Sequence, residues 1–166
     1  MDGEKVSVKA ISDKAEAFEG RMEAFIMDFG GDILWNETIG CRLQADESAD
    51  LMSVDAALLD GNRLLYVSIL KDGVTVSENT FYTRFPKEYE YGCPEISFEV
   101  QECAEGLELT VSSDRLARGL YLFSDNADDF FEDNYMDLLP GFPRKITVRT
   151  GSTAEEFKTT LKYQTL

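Results

Sequence analysis

The sequence predicts an all-β chain built as two small antiparallel sandwiches in tandem. Three observations predict it: apolar residues alternate with period two in most segments, turn residues separate these segments at near-regular spacing, and a proline breaks the pattern near the middle, at Pro86. The 166 residues suit one ordinary domain or two small ones.

The alternation is clearest in four places. Val6, Val8 and Ala10 alternate with Lys5, Ser7 and Lys9, and Ile96, Phe98 and Val100 with Glu95, Ser97 and Glu99. Leu107, Leu109 and Val111 alternate with Glu108 and Thr110, and Ile146 and Val148 with Lys145, Thr147 and Arg149. Such a strand puts one face on a core and the other in water. Less regular strands are expected over Arg21–Phe29, Ile33–Leu43, Arg63–Leu70, Val74–Phe85 and Gly119–Phe123. Leu120–Phe123 is apolar on both faces, which suits a central strand or one covered by a neighbouring domain. Gly30-Gly31-Asp32, Asp60-Gly61-Asn62, Asp72-Gly73 and Glu105-Gly106 are expected as hairpin turns, because residues tolerant of positive φ fit tight connections. Asp13–Glu19 and Asp50–Leu59 could each hold a turn or two of helix; Leu51, Val54 and Leu58 have helical spacing, but that segment could equally begin as a strand. Pro86 cannot continue a central ladder, so it places a boundary there. The expected domains are residues 1–86 and 87–166, with about six strands before and about five after, each close to a small Ig-like or fibronectin-like sandwich.

Composition narrows the function. Sixteen basic residues stand against 32 acidic ones, a net charge of −16. That balance disfavours nucleic-acid backbones and anionic membranes. No apolar run approaches the roughly 20 residues of a membrane span, and no signal-peptide pattern is present. Met1-Asp2-Gly3-Glu4 runs straight into a strand, so an excised fragment is expected. With no histidine, Ser-His and Cys-His nucleophile pairs and His-containing metal sites are excluded. Cys41, Cys93 and Cys103 lack metal-site spacing and are odd in number, so they are expected as free thiols.

The stretch Glu132–Gly141, EDNYMDLLPG, is the candidate for chemistry. A calcium loop fails on spacing: counted from Asp125, the sixth position is Phe130 rather than Gly and the twelfth is Met136 rather than Glu. The acidic segment 125–133 is therefore expected as a solvated loop. Paired-carboxylate catalysis needs a desolvated pair, and nothing in 32 acidic residues singles one out. A structural corner fits best. Pro140 and Gly141 would make the turn, Leu138 and Leu139 would pack beneath the sandwich, Tyr135 would bury its ring, and Asp133 and Asn134 would cap amides locally.

The motif also carries a family resemblance. Leu116–Thr150, with Asp133, Asn134, Tyr135, Asp137, Leu138, Leu139, Pro140 and Gly141, resembles the last β-sandwich of β-mannosidases, in the glycoside hydrolase family that includes β-galactosidases and β-glucuronidases. Ser77–Val100, with Asn79, Phe81, Tyr82, Pro86, Lys87 and Pro94, is similar to the join between their two C-terminal Ig-like sandwiches. Val6–Trp35 is similar to the preceding sandwich. Met136 stands where the family often has Phe, and Phe142 where Glu is common.

The resemblance implies a non-catalytic accessory region of a β-mannosidase-like glycoside hydrolase. Its partners would be the catalytic (β/α)₈ barrel and other domains of the same parent chain. A barrel takes about 250 residues and does not fit here. Asn36-Glu37 imitates the family's Asn-Glu acid/base pair, but falls in a strand of the first sandwich. No catalytic, cofactor-binding or metal-binding residue, and no cofactor, is expected in this chain. The other reading is an independent carbohydrate-binding module using Trp35, Tyr82, Tyr89, Tyr91 or Tyr121, with at least a weak carbohydrate contact. A bacterial member of the family would be periplasmic or secreted.

Overall fold

A computed structural model describes residues 4–166, so the expected abrupt start at Met1-Asp2-Gly3 lies outside the described residues. These divide into two compact units. The first runs up to Asp28 and resumes over Asp32–Glu90; the second takes Phe29–Gly31 and Tyr91–Leu166.

In the first unit, β1 (Lys5–Ile11) pairs antiparallel with β4 (Ser48–Asp55) in a two-stranded sheet. The other sheet has the order β3-β2-β5-β6, from β2 (Phe18–Asp28), β3 (Ile33–Leu43), β5 (Arg63–Lys71) and β6 (Val74–Phe81). All its pairs are antiparallel. Ala10 and Val54 from the small sheet meet Met22, Ala24, Ile26, Cys41, Leu43 and Leu65 from the large one in a single core. Met22, Ile26 and Leu65 are almost wholly buried, and each contributes about 1.5–3 kcal/mol by leaving water. β2 has neighbours on both sides, and its stretch Ala24–Met27 is buried on both faces.

Of the two segments in this unit that could hold helix, only Asp13–Glu19 is corrected. Asp13–Ala17 is an irregular connection, and Phe18 and Glu19 already belong to β2. Asp50–Leu59 is the end of β4 followed by a 3₁₀ turn, Ala56–Leu59. Pairing of Val6 with Val54 and Val8 with Met52 draws the segment into the sheet, where its backbone groups find partners across the ladder rather than along a helix. The Asp55 carboxylate accepts the Ala57 N–H at 2.9 Å and caps the turn. Asp60-Gly61-Asn62 is also not a hairpin, because it carries the chain from the small sheet to the large one. Asp72-Gly73 is one. Both residues have positive φ, 52° and 83°, and Lys71 faces Val74 across the two-residue turn.

In the second unit, one sheet has the order β10-β12-β8-β7, from β7 (Ile96–Cys103), β8 (Gly106–Ser113), β10 (Phe130–Phe131) and β12 (Arg144–Arg149). The other has the order β11-β9-β13, from β9 (Ala117–Phe123), β11 (Met136–Leu138) and β13 (Lys162–Gln164). Leu107, Leu109, Val111, Ile146 and Val148 of the first sheet pack with Ala117, Leu120, Leu122 and Leu138 of the second. β9 is the central strand, as its apolar sequence implied; Leu120 and Leu122 are buried, while Tyr121 and Phe123 are half-buried on its other face.

One helix escaped the sequence reading: α1, Ala154–Thr160. Its signal was present as the capping box Thr153-x-x-Glu156. Thr153 accepts the Glu156 N–H, and the Glu156 carboxylate accepts the Thr153 N–H at 2.9 Å. The helix drives Phe157, fully buried, into the core of this unit. Among the described residues, no helix is long and apolar enough to cross a membrane.

Candidate interaction surfaces and the acidic corner

Two strands cannot cover four. In the first unit this mismatch leaves a groove between β1 and β6, floored by β5. It encloses about 410 Å³ and is lined by Val6, Val8, Leu51, Val67, Ile69 and Phe81 with Ser77, Glu78 and Asn79. Val67 and Ile69 remain half-buried, and β6 itself is exposed along almost its whole length. Val74, Val76 and Phe81 of β6 are open to solvent, as is Ile11 at the end of β1. A second cleft of about 330 Å³ continues past Ile69 and Ser77 towards Ile11, Phe18, Lys71 and Val76. The edge strand β6 thus exposes valines beside clefts of mixed apolar and polar lining.

The corner in the second unit replaces missing backbone with side chains. β11 is short and its pairing with β9 shifts register between Met136 and Leu138. At the shift, the Asp137 carboxylate accepts the Gly119 N–H at 2.9 Å. Beyond β11, the Asn134 amide oxygen accepts the Leu122 N–H at 2.6 Å, and its NH₂ donates to the Leu122 carbonyl at 2.7 Å. One Asn side chain thus does for β9 what a paired residue would do. Local capping is as expected, Asp133 accepting the Asn134 N–H at 2.8 Å and Asn134 the Tyr135 N–H at 3.2 Å; the bonds of Asn134 to Leu122 of β9 come in addition. The turn itself is as expected. Gly141 has φ 81°, Phe142 N–H donates to the Leu139 carbonyl at 3.1 Å, and Leu138 and Leu139 are buried.

Tyr135 overturns its expectation. The residue is 72% exposed, and its backbone sits at φ 57°, in the left-handed region. The ring stacks on Tyr121, with centroids 4.8 Å apart and planes 15° apart. Leu138 and Leu139 are the buried residues of the corner, and Tyr135, with its left-handed backbone, stands exposed.

Known proteins place this architecture. Residues 4–88 match the mannosidase Ig/CBM-like domain, which is more than half of the chain. The chain belongs to the mannosidase Ig/CBM-like domain family. Residues 93–166 match an Ig-fold domain family. Among solved structures, the β-D-mannosidase of Dictyoglomus thermophilum matches with TM-score 0.84 and 22% identity, over 97% of this chain and 20% of that one. The exo-chitosanase CsxA of Amycolatopsis orientalis matches with TM-score 0.63 and 16% identity, over 96% of this chain and 24% of that one. At these identities the likeness is one of fold. The chain spans about a fifth to a quarter of the length of these enzymes. No curated protein matches it.

The remaining residues singled out in the sequence find plain positions in the mannosidase Ig/CBM-like and Ig-fold domains. Glu37 lies in β3, exposed, opposite Ala24 of β2. Trp35 packs half-buried against the first core. Tyr89 is buried and its hydroxyl accepts the Arg84 N–H at 3.0 Å, closing the chain around the 3₁₀ turn Pro86–Glu88. Tyr82 meets Tyr89 edge to face. The Tyr91 hydroxyl accepts from Arg118 at 2.7 Å. In the acidic loop, Asp129 accepts from Ser124 and Asn126, and Asp125 pairs with Lys162. Among the described residues no group of three or more acidic or cysteine side chains is placed to hold a metal ion. Cys41 is buried, and burial raises its thiol pKa; Cys93 and Cys103 are exposed.

Proposed function

We propose that this chain is a non-catalytic accessory region of a β-mannosidase-like glycoside hydrolase. It packs against and stabilises a catalytic (β/α)₈ barrel carried elsewhere in the same polypeptide, and residues 1–86 and 87–166 are its two folding domains. The observation that carries the reading is electrostatic. Ser68 is the one buried polar or charged residue among those described, so every Asp and Glu there keeps contact with water. A general acid for glycoside cleavage needs a carboxyl raised by desolvation, and a surface carboxylate is not so tuned. The open groove between β1 and β6 supports the packing role, since a further domain would cover its exposed apolar residues. The share of the neighbouring enzymes that the chain matches supports the existence of such further domains. Neither nucleic acid nor membrane is a partner in this reading, because the net charge of −16 repels both.

An assay with an aryl β-mannoside tests the reading. The isolated chain should show no turnover. Turnover abolished by a single Glu substitution, Glu37→Gln first among them, would overturn it.

A further inference from the structure

We propose that Asn36 is an acceptor for N-linked glycosylation, taking an oligosaccharide from a polyisoprenyl-diphosphate carrier in a secretory compartment. The proposal draws on one part of the accessory reading, that the chain is a region of a longer polypeptide, and places the export signal elsewhere in it.

Three observations carry the proposal. First, Asn36-Glu37-Thr38 is an Asn-x-Thr triplet whose middle residue is not proline, the pattern that the glycan transferase reads. The other asparagines, Asn62, Asn79, Asn126 and Asn134, have Leu, Phe, Asp and Met two positions on, so none of them shares it. Second, the strand presents the triplet to solvent. β3 ends the order β3-β2-β5-β6, so it pairs with β2 alone and its other edge is open. Asn36, Glu37 and Thr38 are all exposed. The register is regular here, with Asn36 opposite Phe25 and Thr38 opposite Glu23, so Asn36 and Thr38 lie on the same face. Third, nothing holds the two side chains. Neither takes part in a hydrogen bond or ion pair among the described residues. Gly40 follows on the same face, and a Cβ built there would meet nothing within 4 Å.

The chemistry is a substitution at carbon. Asn36 Nδ2 forms a bond to the anomeric carbon of the first sugar, the bond from that carbon to the diphosphate oxygen breaks, and the diphosphate leaves with the electron pair. One amide proton passes to a base of the transferase, and nothing is oxidised or reduced. The Asn36 amide gives up no internal bond, so the folded chain keeps its packing when the glycan is attached. The glycan then stands over the free edge of β3, a bulky cover for unpaired backbone that would otherwise invite another strand.

The test is translation of the whole chain behind a cleavable secretory leader, with microsomal membranes, scoring the protease-protected population. The expected result is one added oligosaccharide that peptide-N-glycosidase removes, converting the Asn36 amide to a carboxyl in the mass spectrum. Asn36→Gln and Thr38→Ala should each abolish the addition. Thr38→Ser should keep it, as should Glu37→Gln, which leaves the triplet intact. Glycosylated and stripped chains should melt at the same temperature. A protected wild-type chain without glycan overturns the proposal. So does an oligosaccharide that persists in Asn36→Gln, or a glycosylated chain that no longer melts cooperatively. The aryl mannoside assay reads none of these outcomes, so either reading can fail without the other.

Discussion

Asn134 and Leu122 form a side-chain-to-backbone pair that stands in for a strand. Both the N–H and the carbonyl of Leu122 are satisfied by one amide, at 2.6 and 2.7 Å. Leu122 is itself buried, so its backbone has no easy recourse to water. Replacing Asn134 by Ala should cost about 1–3 kcal/mol, because it orphans two backbone groups. Replacing it by Asp keeps the acceptor but sets a carboxylate oxygen against the Leu122 carbonyl, and should also destabilise. Urea midpoints at constant slope measure both; a midpoint unchanged in Asn134→Ala would refute the pairing.

Tyr135 offers a comparison between two truncations. Both Ala and Gly remove the stack on Tyr121, but only Gly is at ease at φ 57°. Tyr135→Gly should be the more stable by about 1 kcal/mol. The difference in thermal or urea stability between the two variants reads the backbone strain directly. Equal stability would mean that the left-handed conformation is not kept in solution.

Gly106, at the start of β8, holds a conformation that only glycine adopts at ease, in a crowded place. Its φ is 133°, and a Cβ there would lie 2.4 Å from the Val148 carbonyl oxygen of the neighbouring β12. Gly106→Ala must push β8 from β12, with a cost of at least about 2 kcal/mol. Hydrogen exchange should show lost protection along Leu107–Leu109 and Ile146–Val148, the paired residues nearest the clash.

Two carboxylates make the second unit sensitive to acid. Glu156 is held below the ordinary carboxylate range mainly by the Thr153 N–H, and then by the Thr153 hydroxyl. Asp114 is lowered chiefly by the Glu95 N–H, which it accepts at 2.8 Å, with Arg115 assisting. A depressed folded-state pKa contributes stability that is complete above the unfolded-state pKa and lost as pH falls through the folded-state value. Melting temperature should therefore fall between about pH 5 and about pH 2, and less so in Glu156→Gln, which has no proton to take up. The same slope in the variant would dismiss the role of the cap.

The thiols should separate by burial. Cys93 and Cys103 are exposed, while Cys41 is fully buried and its thiol is pushed up by desolvation. A thiol reagent should label two cysteines quickly in the native chain and the third only on unfolding. Fast labelling of Cys41 would show that the first core opens readily.

The sequence by itself determined the all-β class and most of the longer strands. Alternating residues such as Ile96, Phe98 and Val100 report a one-sided core without reference to anything distant. It also determined the turn at Pro140-Gly141 and the hairpin at Asp72-Gly73, because turn geometry depends on the residues that make it. The capping box Thr153-x-x-Glu156 is an equally local signal, for α1. The three-stranded sheet was harder, since β11 and β13 are three residues each and too short to show a period. What only the tertiary structure decided is long-range. That Asn134 pairs with Leu122, that Asp50–Asp55 joins β1 before the chain coils at Ala56–Leu59, and that two strands face four and leave a groove all depend on which segments meet. Tyr135 shows the reason most clearly. Its neighbours in sequence suggested burial, but whether a ring goes in or out depends on the segments that meet around it, and a local pattern does not record that.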